Sequence, residues 1–239
     1  MHSVTSNKMF NHASHFFLVF LLIFSTPVQV SSQELSTKTI ELPNFKTVTL
    51  DTIGNFYLIP DSKHRIVIEA EPKLISKFSA KVVDGKLKVF ANSNFSTDKA
   101  INIKVYLPVL NKLVTQSSGD IQLDGFQVDD LDLIVSGSGT VKATGIKVKR
   151  LKIRLDGASD IEISGSAASL DISNDGAGEF EAGDFIVSNA IASLQGSGDI
   201  KLHVLDNLNA SIKGSGTITY KGNPKLVSTI DGVGEINKQ

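Results

Sequence analysis

Five carboxylates recur along the second half of this sequence at almost constant spacing: Asp120, Asp160, Glu179, Asp199 and Glu235. With Thr140 and Thr217 they form a series whose steps are 20, 20, 19, 20, 18 and 18 residues, each member following a small-residue corner such as Gly196-Ser197-Gly198. Carboxylates brought to one edge by a repeat could form a calcium ladder, because calcium takes six to eight oxygens and stacked corners offer carboxylates and carbonyls together. The pattern lacks the Gly-Gly-x-Gly-x-Asp nonapeptide of calcium-binding β-rolls, and threonine interrupts the column twice. The reading adopted is therefore a solvated corner with no metal or cofactor.

Other chemistry is sparse. The chain has no cysteine, and His64 and His203 are the only histidines beyond the first 32 residues. No serine lies in a Gly-x-Ser-x-Gly elbow, so neither a catalytic triad nor a zinc site is expected. The Gly-x-Gly corners precede alternating segments rather than helices, which removes the helix N-terminus that a phosphate loop needs. A pair of carboxylates facing a groove is the arrangement that sugar-cleaving enzymes use, and Asp156 with Asp175, or Asp171, are the candidates. Phe126, Phe185 and Tyr220 are open to either packing or binding.

The elements that position these residues are read from the repeat. The corners are Ser117-Ser118-Gly119, Gly137-Ser138-Gly139, Gly157-Ala158-Ser159, Gly176-Ala177-Gly178, Gly196-Ser197-Gly198, Gly214-Ser215-Gly216 and Gly232-Val233-Gly234. The position after each marker is always apolar: Ile121, Val141, Ile161, Phe180, Ile200, Ile218 and Ile236. Two residues before the corners stand Thr115, Val135, Leu155, Asn174, Leu194, Ile212 and Ile230, and four before stand Leu113, Leu133, Ile153, Ile172, Ala192, Ala210 and Ser228. Asn174 and Ser228 break these columns, and a buried Asn174 requires partners for its amide. A period of two within each arm means β-strands with one buried face.

No single repeat can bury that face alone. Stacking coils about 4.8 Å apart pairs their backbones and lines the interior with Ile, Leu and Val, giving a parallel β-solenoid of about seven rungs. Glycine at the corners is expected both for a positive φ and for want of room. The preceding segment, 44–110, reads as strands with one hairpin at Asp84-Gly85. Residues 33–43 are polar and read as a linker, and 72–78 as a helical turn or loop.

Composition supports a β-rich protein: 239 residues, 19 glycines, no tryptophan, and 24 basic against 25 acidic residues. No basic stripe is present, so nucleic-acid binding is not expected. Phe16 to Phe24 is an unbroken apolar run of nine residues, too short to span a bilayer and suited to a secretory signal over 1–32. Val30-Ser31-Ser32 offers a cleavage site, with an uncleaved anchor as the alternative. The absence of cysteine excludes lipid attachment through one.

Ile53-Gly54-Asn55-Phe56, Asp84-Gly85-Lys86-Leu87-Lys88-Val89, Val105-Tyr106-Leu107-Pro108 and the Gly-Ser-Gly-Asp corners together resemble the bacterial family called the putative autotransporter adhesin, head GIN domain. The resemblance covers about residues 44–237 and implies an exported, single-stranded, right-handed β-helix. It carries no catalytic residues. This sequence departs from it with Thr140 and Thr217 in place of Asp, and Ser117 and Ser159 in place of Gly. Expected from the whole is a non-enzymatic binding module of the periplasm or cell surface, whose partner is an envelope protein or a glycan. The alternatives are a polysaccharide-acting enzyme or a structural module that self-associates through the solenoid end.

Overall fold

The computed structural model describes residues 35–239; the signal segment expected at 1–32 lies outside the described residues. The described chain is 64% strand and 2% helix and winds into a β-solenoid of about six turns, close to the seven rungs expected. Its strands are β1 (Ser36–Glu41), β2 (Thr47–Asp51), β3 (Asn55–Pro60), β4 (Arg65–Ala70), β5 (Phe78–Val83), β6 (Lys86–Ala91), β7 (Asn102–Leu107), β8 (Lys112–Thr115), β9 (Ile121–Asp124) and β10 (Gln127–Val135). They continue with β11 (Thr140–Leu155), β12 (Asp160–Asn174), β13 (Phe180–Leu194), β14 (Ile200–Ile212), β15 (Thr217–Lys221), β16 (Lys225–Ile230) and β17 (Glu235–Lys238). Among the described residues the one helix, α1 (Pro72–Ile75), is a single turn. Among the described residues no helix is long and apolar enough to cross a membrane.

Each repeat coil has three arms, visible where the alternation of buried residues changes phase. In β11, Val141 and Ala143 point inward, then Ile146, then Leu151, Ile153 and Leu155. Successive coils pair in parallel, with register shifts ahead of the third arm, along which Leu133, Ile153, Ile172, Ala192 and Ala210 stack in one inward column. Each fully buried Leu or Ile of this core contributes about 2 kcal/mol. Phe126 and Phe185 belong to the same core and Tyr220 packs against it, which settles their role as packing.

The corner glycines are required for one of the two expected reasons, not both. A Cβ on Gly137, Gly157, Gly176, Gly196, Gly214 or Gly232 would stand 1.8–2.2 Å from the carbonyl oxygen of the corner residue stacked beside it, far inside contact distance. None of the Gly-x-Gly corner glycines has a positive φ. Within the repeats, the glycines of positive φ are at a second corner, between the first and second arms, where Gly125, Gly145, Gly165 and Gly222 have φ of 73°, 64°, 130° and 97°. Ser159 occupies a corner place and is buried, so the third residue of a corner can adapt to a side chain where the first is uniformly glycine from Gly137 onward.

Chain order and stack order differ in the head. The β2–β3 coil lies between β6–β7 on one side and β8–β9 on the other: β2 pairs in parallel with both β6 and β8, and β3 with both β7 and β9. Gly54 is the head's corner, since a Cβ on Gly119 would meet its carbonyl at 1.9 Å. Antiparallel strands close this end: β4 on β7, β1 on β4, and β5 on β6. The Asp84-Gly85 hairpin forms as expected, with φ of 48° and 69°. The segment read as a linker instead contains β1, whose pairing with β4 sets Ile40 opposite Ile66. One apolar residue among polar ones suffices for an edge strand, because its outer face meets water.

Candidate binding groove

The acidic markers act on the backbone. Asp120 Oδ1 accepts from the Thr140 N–H at 3.1 Å, Asp160 Oδ1 from Glu179 N–H at 2.9 Å, and Asp199 Oδ1 from Thr217 N–H at 2.7 Å. Each aspartate thus caps the first strand of the next coil, and the coil after it carries Thr or Glu at the marker. Among the described residues no group of three or more His, Asp or Glu side chains is placed to hold a metal ion.

The interior polar exceptions have the same kind of role. Asn174 is fully buried, its Nδ2 donating to Gly178 O at 2.7 Å and its Oδ1 accepting from Gly176 N–H at 3.1 Å. Thr115 Oγ1 accepts from Ser117 N–H at 3.1 Å. His64 lies against Phe45, its Nε2 3.0 Å from the Phe45 carbonyl oxygen.

Asp156 and Asp175 come together, but across a cation. The Arg154 Nε donates to Asp156 at 2.8 Å and its Nη2 lies 3.3 Å from Asp175 Oδ2. The hydrogen bond to Asp156 and the two anionic charges raise the pKa of the Arg154 guanidinium. A cation stands where a glycosidic oxygen would have to lie between an acid and a base. Asp171 is separate from this pair, in the groove described next.

A groove of about 740 Å³ runs along the solenoid where the second arm turns into the third, crossing from Asn111 to Val227. Its floor is Leu131, Leu151, Leu170, Ala190 and Leu208. One wall is the register column Asp130, Arg150, Ser169, Asn189, Asn207 and Lys225; the other is Asp132, Lys152, Asp171, Ile191, Asn209 and Val227. At the head end two ion pairs flank the groove, and Lys152 and Asp171 add further charge to the second wall. Arg150 meets Asp130, and Lys112 meets Asp132 at 2.6 Å. Toward the other end the walls become amide and aliphatic before Lys225 at the last rung, with Asn207 Nδ2 donating to Asn189 Oδ1 at 2.7 Å and Ile191 exposed.

Along the first arm the outward face keeps charge, with Lys142 paired to Glu162 at 3.0 Å and Lys201 to Glu181 at 2.8 Å. Burial pushes the Glu181 carboxyl up, but the Lys201 ammonium and the Gly183 N–H outweigh it and hold it below its usual value. In the third-arm groove the neutral stretch is confined to the β13 and β14 rungs, Asn189, Ile191, Asn207 and Asn209. Asn189, Asn207, Asn209 and Ile191 were not singled out by sequence; the available signal was Ile191 and Val227, two apolar residues in an outward column.

Over residues 44–224 the sequence matches the family described as putative auto-transporter adhesin, head GIN domain. The fold is similar to a solved putative adhesin from Bacteroides fragilis, with a TM-score of 0.83, 26% identity, and coverage of 87% of this chain and 98% of that one. It is also similar to a putative lipid binding protein from Parabacteroides distasonis, with a TM-score of 0.70, 23% identity, and coverage of 87% and 98%. A putative adhesin from Parabacteroides merdae matches with a TM-score of 0.65, 23% identity, and coverage of 87% and 97%. The last two likenesses bear on fold alone. No curated protein matches the sequence.

Proposed function

We propose that this chain, which belongs to the putative auto-transporter adhesin, head GIN domain family, is an exported binding module without catalytic chemistry that holds an uncharged, extended glycan along its third-arm groove. The observation that carries this reading is the groove itself: it crosses successive coils, the ion pairs Arg150–Asp130 and Lys112–Asp132 close within the protein, and its middle rungs offer the amides of Asn189, Asn207 and Asn209 above an apolar floor. A sugar chain has hydroxyls for such amides and C–H faces for such a floor, and it demands no unpaired charge. Export is supported by the apolar run over Phe16 to Phe24 and by the family's name.

Calorimetric titration with a neutral and an anionic polysaccharide tests the ligand class. Binding of the neutral chain, weakened about tenfold or more by Ile191→Glu, is the expected result, since a buried charge would lack a partner. Preference for the anionic chain, or for phospholipid vesicles, would overturn the reading. Protease treatment of intact cells and of cells with an opened outer membrane distinguishes the outer surface from the periplasm.

A further inference from the structure

The two ends of the solenoid are finished differently. At the head, antiparallel strands cover the outer edges of β6 and β7. At the other end, β16 pairs only with β14 and β17 only with β15, so among the described residues nothing covers their outer edges. The inward columns continue to this edge without a lid. Leu208 and Ile212 are 1% and 0% exposed, whereas their register partners Leu226 and Ile230 in the terminal coil are 36% and 48% exposed. Val227 at 57% and Val233 at 84% add two more aliphatic side chains to the same coil.

We propose that this terminal coil docks against the terminal coil of a second copy of the chain, end to end. The surface is a cross-section of a solenoid core edged by unpaired strands, and what complements it is another section with the same outline and the same open edges. The head of another copy offers no such section because its coils are already covered. The self-matching end therefore makes an isologous, two-fold contact that closes at a dimer instead of growing into a fibre.

Charge fits the same partner. The terminal coil carries Lys225, Asp231, Glu235 and Lys238, two of each sign, so two copies meet without net repulsion. Antiparallel pairing of β17 with its counterpart sets Glu235 opposite Lys238 of the second copy and Lys238 opposite its Glu235.

The test is sedimentation equilibrium of the full chain across micromolar concentrations, with three variants. Val233→Lys and Ile230→Lys alter the proposed contact without touching the groove, while Val83→Lys alters an exposed aliphatic of the head hairpin, 64% exposed. A monomer–dimer equilibrium that both end variants weaken by about tenfold or more, and that Val83→Lys leaves unchanged, is the expected result. A wild-type chain that stays monomeric, a dimer indifferent to both end variants, or open-ended growth with concentration would each overturn it. Loss of glycan binding with dimerisation intact would instead count against the groove and leave this contact standing.

Discussion

The repeats turn their corners by laying glycine backbone on backbone, whereas the head turns over charged and aromatic side chains. From Gly137 to Gly232 the first residue of every corner is glycine and sits against a carbonyl of the neighbouring coil. In the head, Arg65 reaches Asp61 at 2.9 Å and lies over the Tyr106 ring at 3.8 Å, and Glu71 is held by Thr97 at 2.7 Å with Lys73 at 3.4 Å. The difference teaches where tolerance lies. The first position of a repeat corner has no side chain to exchange and hence no room to vary, while the head's side-chain contacts depend on ionisation and can be loosened by solvent conditions.

The largest effect is expected from Gly196→Ala, whose Cβ would stand 1.8 Å from Gly176 O. Backbone on both sides must move, costing about 3 kcal/mol or more, and thermal unfolding should show the loss directly. A change within experimental error would mean that the first corner residue adapts as Ser159 does. At the second corner, Gly145→Ala faces a different obstacle: its nearest neighbour would be 3.8 Å away, but φ is 64°. The left-handed backbone alone should cost about 1 kcal/mol, so the same melting experiment ranks the two corners and separates crowding from conformation.

The smallest effect concerns pH and should be larger in the head, where two carboxylates are held below their ordinary values, than in the repeats, where Glu181 is. The Thr97 hydroxyl, working against burial and aided by Lys73 and Lys99, holds Glu71 below the ordinary 4.5, and the Lys63 N–H with Arg65 holds Asp61 below 3.8. Both carboxylates are then more easily ionised in the folded chain than in the unfolded one. The stabilisation is complete above the ordinary values and is lost as pH falls through the lower folded ones. Protection from amide exchange, corrected for the intrinsic slowing at low pH, should therefore be lost in β4 and β7 on acidification before it is in β11 and β12; uniform loss would remove the distinction between the two regions.

The repeat was legible because its neighbours in space are neighbours at a fixed distance in sequence. The apolar column from Ile121 to Ile236, the arms and the marker spacing all follow from one period. The Asp84-Gly85 hairpin was legible for a local reason, its two left-handed residues. The order of the head coils was not, since β2 and β3 pair with strands on both sides that share no repeating spacing with them. Nor was the groove, because whether Asn189, Asn207 and Ile191 face a concavity depends on how sharply the second arm bends into the third. The cause of glycine at the corners was legible only in part: the lack of room was foreseen, and the positive φ belongs to Gly125 and Gly145 one corner on.

The placement of the β2–β3 coil between two later coils also sets a timetable. A chain emerging from its N-terminus makes β2 and β3 first, yet neither has a parallel neighbour until residues 86–124 exist. The head must close as a single non-local event, which is the slow step for a topology of this kind. From β10 onward each coil finds its template already built 18–20 residues earlier, and assembly becomes one-directional growth. The solenoid is thus a slow nucleus followed by a fast zipper.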